Sequence, residues 1–357
     1  MSNVVEFEDK IAFHPGYYIK ETIEAAGLTQ EDFAKRLGTT PKNLSILVRG
    51  EQNLSIDIAV RLASMLGTSI DFWLNLQKRY EQKVAEIMSA QELSKEREIF
   101  KLIDYGYFRK FFGLPDLPRK VDEQIKAVRE FLSVASLTVL DSRDFSCSFR
   151  SEGKELSRSN VVNANVMVQI AINKALARKV PKYDKGKFEK AVDFALTQTM
   201  DHRGFLSSVE KAFESAGVVL VSLPNIQNSK INGATKRLRG KVLVMVNDRR
   251  HYWDTFWFTL MHEVGHVLQG DFGISSENEE DAADRYARSK LVPDRQYQEF
   301  LSRNHALTVE GVQEFAMEIG RDPGIVLGRL LKDGVISYAN RKMCERLRRN
   351  YEVCIPD

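Results

Sequence analysis

The chain has 357 residues and a mass of 40.8 kDa, which corresponds to two or three domains of ordinary size. Hydrophobic residues make up 43% and charged residues 28%, a mixture that excludes wholesale disorder and collagen-like repeats. With 52 basic and 49 acidic residues, the net charge of +3 neither favours nor excludes nucleic acid as a partner. The uncharged apolar segments are too short to span a membrane, the first residues lack the pattern of a secretory signal, and the three cysteines are too few for a disulfide framework. We therefore expect a cytoplasmic protein.

Residues 16–78 are predicted to form several short helices, because apolar residues recur at helical spacing and a glycine follows each segment. Thr29 and Thr40 are candidate N-caps. Asp32 lies three residues after the first of them and Pro41 directly follows the second, and both patterns are typical of helix starts. The sequence thus predicts a compact, all-helical domain.

Two of these helices, Thr29–Leu37 and Thr40–Val48, are separated by a short glycine-containing turn, which is the spacing of a helix-turn-helix motif. In such motifs the second helix enters the major groove with its N-terminal end. The candidate base-reading side chains are Thr40, Lys42, Asn43 and Ile46. The candidate phosphate contacts are Gln30, Ser45, Arg49 and Asn53. We assign this DNA-binding domain to residues 8–80.

The charge of this region leaves an alternative open. Residues 1–80 carry a net charge of −1, so no broad basic field is present to drive loose binding to DNA. A helical protein-interaction module is the alternative interpretation. The basic run 341–349 is a candidate for further phosphate contacts, although such runs are more often solvated helix faces.

Helical patterns continue after the first domain and then give way to strands. We expect a helical linker over residues 81–150 and further helices over 161–206. Two short β-branched runs, Val218–Val221 and Val242–Val246, predict strands, with Ile231–Arg237 as a candidate third strand between them. The fold class that follows is mainly α-helical, with a small α+β domain that contains a short β-sheet.

The segment Thr255–Gln269 predicts a buried helix, because apolar residues cover nearly all of its faces. Its candidate N-cap and terminator are Asp254 and Gly270. Within it, His262 and His266 lie four residues apart on one face and can bind one divalent cation, while Glu263 is placed to reach a metal-bound water. The alternative, core histidines satisfied by hydrogen bonds, is disfavoured because burying these groups without a cation is costly.

A third protein ligand is needed, and the next predicted helix offers several carboxylates. Glu280, Ala283, Asp284 and Ala287 share one face, where the alanines allow close approach to the histidine helix. Spacing favours Glu280 as the ligand and Asp284 as an acceptor for the N–H of a ligating histidine. Ser276–Glu279 has the pattern of a capping box. The competing carboxylates, which also suit a solvated helix start, are Glu277, Glu279 and Asp281.

Two histidines and one carboxylate with an open fourth position form the ligand set of zinc hydrolases. Zn²⁺ lowers the pKa of its bound water to about 7 and polarises the scissile carbonyl, and Glu263 is then the candidate general base. The strand Ile231–Thr235 is a candidate for holding a peptide by strand addition, with an ordinary strand covering the core as the alternative. Candidate oxyanion donors are His251, Tyr252 and Tyr286.

Several short motifs occur in the first 80 residues: His14-Pro15-Gly16, Gly27-Leu28-Thr29-Gln30, Leu37-Gly38, Leu44-Ser45 and Phe72–Gln77. Together they resemble the HigA-type antitoxin branch of the XRE helix-turn-helix regulators. The resemblance implies a five-helix DNA-binding domain in an antitoxin-like regulator that represses its own operon. We also expect a homodimer on a palindromic promoter site, since symmetric half-sites mirror the symmetry of a dimer.

A second group of motifs comprises Asp254–His266, Glu280–Asp284, Leu291-Val292-Pro293 and Pro323–Arg329. These resemble the ImmA/IrrE metallopeptidase-like family, which implies a gluzincin-type domain. In that family the third ligand is the glutamate thirteen residues before the proline of the Leu-x-Pro step, which is Glu280 when counted from Pro293. The chain departs from the family where Gln269-Gly270-Asp271 follows the second histidine, since many members carry another histidine there.

The two resemblances imply a DNA-binding transcriptional regulator that carries a zinc metallopeptidase domain over residues 151–300, followed by a helical extension over 301–357. Its protein partner would be a repressor or a toxin that the peptidase cleaves. The alternative is a non-enzymatic, HigA-like antitoxin that neutralises its toxin by binding and uses the zinc for structure or sensing.

Overall fold

The computed structural model describes residues 3–142, 157–272, 277–303 and 307–353, with the backbone alone at 277–279. The chain divides into two compact units, Met1–Arg97 and Glu98–Asp357. The described residues are mainly helical with small sheets, which confirms the predicted class. In that part of the chain, no helix combines the length and the apolar character needed to cross a bilayer. The finer domain boundaries at 81, 151 and 301 stay predictions.

The first unit begins with an antiparallel hairpin of β1 (Val4–Phe7) and β2 (Lys10–Phe13), which is not predicted from the sequence. Strands of four residues are too short to show a convincing alternation. The helices that follow are α1 (Pro15–Ala25), α2 (Gln30–Leu37), α3 (Pro41–Val48), α4 (Ile56–Leu66) and α5 (Ile70–Phe100), the last of which runs past Arg97. Their apolar faces form one buried cluster.

The predicted helix starts in the helix-turn-helix region are confirmed. The Thr29 hydroxyl accepts from the backbone N–H of Asp32 at 3.1 Å, and that of Thr40 accepts from the N–H of Asn43 at 3.2 Å. Gly38 closes α2 with a left-handed φ of +70°, a conformation that glycine adopts without steric cost. Local signals therefore set the turn between α2 and α3.

Helix α1 contacts α3 through a residue without a side chain. A Cβ atom built on Gly16 would lie 2.1 Å from the backbone oxygen of Leu47. The preceding His14 is fully buried, and its Nδ1 accepts from the N–H of Gly16 at 3.0 Å, which caps α1. The His-Pro-Gly sequence thus starts the helix and permits this close backbone approach.

The second unit surrounds a small sheet of β3 (Val218–Leu223), β4 (Gly233–Leu238) and β5 (Lys241–Asn247). Among the described residues the order is β3-β5-β4, with β3 parallel and β4 antiparallel to β5. The two β-branched runs are therefore confirmed as strands, and the third strand begins two residues later than predicted. The helices before the sheet are α6 (Tyr105–Phe112), α7 (Val121–Leu132), α8 (Arg158–Ala177), α9 (Lys185–Thr197) and α10 (Phe205–Ser215).

The sheet is covered by helices on both faces. Val218, Val242 and Val244 belong to the main buried cluster with α9, α10 and the next helix, α11 (Trp253–Gln269). On the opposite face, the amide of Asn247 approaches Met167 of α8. The helices after α11 are α12 (Glu277–Leu291), α13 (Asp294–Leu301), α14 (Val309–Glu318), α15 (Pro323–Lys332) and α16 (Arg341–Leu347).

The predicted N-cap of α11 is wrong, whereas its predicted terminator is confirmed. The cap position is Tyr252, and Asp254 lies inside the first turn, where its carboxylate is buried. Arg348 satisfies that carboxylate with two hydrogen bonds of 2.8 and 3.1 Å, a long-range pairing that the local sequence cannot show. Gly270 ends the helix with a φ of +83°.

Candidate functional sites

Helix α11 runs through the core of the second unit and carries the histidine motif. His266 and Glu263 are buried, at 4% and 7% exposure, and His262 is half-buried. The Nε2 atoms of the two histidines lie 3.1 Å apart. The spacing of four residues therefore places both imidazoles at one point, as the sequence predicts for a helix.

Helix α12 packs closely against α11 through small residues. A Cβ atom on Gly265 would lie 3.1 Å from the Cα of Ala283. Ala283 and Ala287 are both buried, so the predicted alanine face is the face that contacts the histidine helix. This close approach brings Glu280, on the same face, to the two histidines.

The three predicted ligands meet in one cluster. Glu280 Oε2 lies 3.3 Å from His262 Nε2, and Glu280 Oε1 lies 3.7 Å from His266 Nε2. Ligand atoms around a tetrahedral Zn²⁺ at bond lengths of 2.0–2.1 Å are separated by about 3.3 Å. One ligand atom from each of the three residues lies within 4.8 Å of the other two, and the two Nε2 atoms are 3.1 Å apart, so the donor set can close around a divalent cation.

His262 is also held from outside the cluster. Its Nδ1 lies 2.8 Å from Asp284 Oδ1, and Lys332 on α15 donates to the other carboxylate oxygen of Asp284 at 3.1 Å. Burial lowers the pKa of His262, but the hydrogen bonds with Asp284 and Glu280 outweigh burial and raise it to about 9. Burial raises the pKa of Asp284, yet the contact with His262 and the charge of Lys332 hold it well below its usual range. Asp284 is predicted at this position from the sequence, whereas Lys332, 48 residues further along the chain, has no local signal.

Glu263 occupies a niche against the edge of the sheet. A Cβ atom on Gly233 of β4 would lie 2.5 Å from Glu263 Oε1, so only a glycine leaves room for this carboxyl. Burial raises the pKa of Glu263 to about 7, and the carboxylate of Glu280 adds to this shift while His262 opposes it. The carboxyl thus has the pKa of a proton acceptor that works near neutral pH.

The other residues named from the sequence differ in their distance from the cluster, and some lie outside the described residues. Tyr252 precedes His262 by ten residues on the same helix, which is about 15 Å, and His251 lies beyond it. The ring of Tyr286 packs against Gly265 of α11, where a Cβ atom would lie 3.3 Å from its Cδ1, and burial and two acidic residues of α9 raise its pKa. Asp281 is exposed. Ser276 and the side chains of Glu277 and Glu279 lie outside the described residues.

The predicted DNA-reading side chains lie around the first turns of α3. Thr40, Lys42 and Asn43 are exposed, whereas Ser45 and Ile46 are half-buried. This placement agrees with side chains that can reach base edges from the N-terminal end of the helix.

The residues predicted to contact phosphates differ in the hydrogen bonds that they make within the protein. Gln30 is exposed at the start of α2. Arg49 donates to Glu51 at 2.8 Å and to Ser45 at 2.6 Å, and Asn53 donates to Glu81 at 3.3 Å. Both side chains must leave or share these partners to hold a phosphate.

Comparison with known proteins identifies the first unit. Residues 19–73 match the Helix-turn-helix family. Virulence-associated protein I of Dichelobacter nodosus is 34% identical over 76 residues, which are 21% of this chain and 70% of that protein. The HTH-type transcriptional regulator YddM of Escherichia coli K12, itself uncharacterized, is 32% identical over 79 residues, which are 22% of this chain and 84% of that protein. In a solved structure, an addiction module antidote protein of a HigA family from Coxiella burnetii is 30% identical over 24% of this chain and 92% of that chain, with a TM-score of 0.22.

These findings define the N-terminal region as a helix-turn-helix DNA-binding domain. The chain therefore belongs, through this region, to the helix-turn-helix family of transcriptional regulators. Helices α2 and α3, with their caps and the left-handed glycine between them, lie within the matched residues.

Proposed function

We propose that this DNA-binding regulator carries, in its second unit, a zinc-dependent metallopeptidase of the gluzincin type. The observation on which the proposal rests is the cluster of His262, His266 and Glu280 beside the buried carboxyl of Glu263. The resemblance of the surrounding sequence to ImmA/IrrE proteins supports it. The peptide bond that it hydrolyses belongs to a repressor or to a toxin partner.

Each residue in and around the cluster has its own role in the proposed hydrolysis. Zn²⁺ in such a site acts as a Lewis acid and lowers the pKa of water towards about 7. Glu263 accepts the proton of the attacking water and returns it to the leaving amine, a role that suits its raised pKa. Asp284 holds the ring of His262 in position through Nδ1, and Lys332 holds Asp284.

Zinc binding is the first test of this proposal. We expect one zinc per chain in the wild-type protein and none in His262→Ala, because two remaining ligands do not hold Zn²⁺ tightly. Elemental analysis after dialysis against zinc-free buffer measures the content. Asp281→Asn is the matched control, since this exposed carboxylate neighbours Glu280 and is expected to leave the zinc content unchanged. Full zinc retention in His262→Ala would remove the site.

A non-enzymatic role for the zinc is the second candidate. Two ligands lie on α11 and the third on α12, so a bound ion would also join these helices, as a structural zinc does. In this interpretation the protein is a HigA-like antitoxin that neutralises its toxin by binding. Chelation separates the two: loss of helical circular dichroism and of the unfolding transition of the second unit supports the structural role, and a folded but inactive protein supports catalysis.

For the first unit we propose binding, as a homodimer, to a palindromic operator in the promoter of its own gene. The exposed Lys42 and Asn43 can read guanine and adenine in the major groove. The net charge of −1 over residues 1–80 means that few phosphate contacts support this recognition. We therefore expect base contacts to contribute much of the affinity.

Substitution in the reading helix tests this assignment. Lys42→Ala and Asn43→Ala are each expected to weaken operator binding by about 1–3 kcal/mol, because each removes a base-edge contact. Fluorescence anisotropy with promoter DNA at fixed salt measures the change. Lys35→Ala serves as control, since this exposed lysine pairs with Glu31 on α2 at 2.9 Å, away from the reading helix. Unchanged affinity in both reading-helix variants would exclude α3 as the reading element.

A further inference from the structure

Asp271 directly follows the glycine that ends α11, and it is brought back to the metal cluster. The left-handed φ of +83° at Gly270 turns the chain, and the N–H of Asp271 then donates to the backbone oxygen of His266 at 2.9 Å. The carboxylate returns along the last turn of the helix. Asp271 Oδ2 lies 4.0 Å from Nδ1 of His266.

The Oδ2 atom of Asp271 is unusual because it is buried and accepts no hydrogen bond from the described residues. The side chain of Asp271 is 17% exposed, and its Oδ2 is fully buried without a hydrogen-bond partner among the residues that the structure describes. A buried carboxylate oxygen that accepts no hydrogen bond is costly. The group that it approaches is the ring nitrogen of His266 opposite the one that faces His262 and Glu280.

The next residue, Phe272, also restrains the position of Asp271. Phe272 packs against the main buried cluster of the second unit, and the guanidinium of Arg237 on β4 lies 5.8 Å from the centre of its ring. The turn at Gly270 and the anchored Phe272 therefore keep the carboxylate beside His266. An acceptor held in this position can orient the neighbouring imidazole.

We propose that Asp271 is a positioning residue for His266. The 4.0 Å between Oδ2 and Nδ1 is longer than a hydrogen bond, and a small rotation of the two side chains brings the carboxylate to the Nδ1–H. Accepting this N–H selects the tautomer whose Nε2 lone pair faces the other two ligands. Asp284 does the same for His262 at 2.8 Å, so each ligating histidine has its own carboxylate behind it. The inference rests on the proposed metal site. It adds to that site a residue that lies on neither the histidine face of α11 nor the Glu280 face of α12.

The test compares zinc affinities by competition with a chromophoric chelator. Asp271→Asn keeps the shape of the side chain, and we expect it and Asp271→Ala to bind Zn²⁺ roughly 10- to 100-fold more weakly than the wild type. Asp193→Asn is the matched control, because this exposed carboxylate on α9 pairs with Lys290 and lies outside the cluster. A ¹H–¹⁵N spectrum of the zinc-loaded histidines provides a second measurement, in which the Nδ1–H resonance of His266 is expected to shift in Asp271→Asn.

The outcomes separate this inference from the proposed function. If the wild type binds no zinc, both are overturned. If the wild type binds zinc and Asp271→Asn binds it equally well with an unchanged His266 resonance, only the role of Asp271 is overturned and the metal site stands. Weaker zinc binding by Asp271→Asn supports the inference if the zinc-free variant and the zinc-free wild type melt at the same temperature. A purely structural role of Asp271 would lower the melting temperature of the zinc-free variant.

Discussion

Replacing Glu263 with glutamine is expected to leave zinc bound and to abolish cleavage of the protein substrate. Glutamine has nearly the same shape as glutamate and fits the niche beside Gly233, but it cannot accept a proton. Loss of a positioned general base lowers the rate by about 10²–10⁴-fold. The measurement is cleavage of a partner captured by the Glu263→Gln protein, with the product of the neighbouring gene as the first candidate, after incubation with wild-type protein.

A second variant tests whether the position of this carboxyl matters. Gly233→Ala would place a methyl group 2.5 Å from Glu263 Oε1 and 2.7 Å from its Cγ, so the carboxyl must move. We expect the Gly233→Ala protein to retain its zinc and to cleave the protein substrate more slowly than the wild type. Lys236→Ala, on the same strand and away from this contact, is the control.

Full cleavage by Glu263→Gln would refute the general-base role and leave the structural zinc as the better proposal.

The second large effect is expected in the DNA-binding unit. Gly16→Ala places a Cβ atom 2.1 Å from the backbone oxygen of Leu47, and neither backbone can yield without separating α1 from α3. We expect a loss of about 3 kcal/mol or more in the free energy of unfolding, the upper range for overpacking. For a unit of this size that corresponds to a fall of roughly 12 °C or more in its melting temperature. Thermal denaturation and operator binding of the full chain measure both consequences.

Gly27→Ala distinguishes a steric clash from the general cost of replacing glycine. A Cβ atom at Gly27 meets no atom within 4 Å, and the cost of its positive φ is about 1–2 kcal/mol. The Gly16 variant should therefore be clearly less stable than the Gly27 variant. Equal melting temperatures would show that α1 and α3 are not held at this distance in solution.

The sequence predicted local features well, because they depend on the preferences of neighbouring residues. The N-caps Thr29 and Thr40, the stop at Gly270 and the two β-branched strands are all confirmed. The hairpin at the start of the chain was missed because its strands are short. The predicted N-cap Asp254 was wrong because a distant arginine, Arg348, satisfies this carboxylate within the helix.

The amino-acid sequence by itself determined the helix-turn-helix spacing and the placement of His262 and His266 on one helical face, because both follow from helical periodicity. The tertiary structure decided what surrounds them. The packing of α12 on α11 selects Glu280 among neighbouring carboxylates, and separate elements supply Gly233 and Lys332. These three residues lie 14 to 66 positions outside the segment His262–His266, and no local preference encodes which faces meet. Close packing of complementary surfaces decides them.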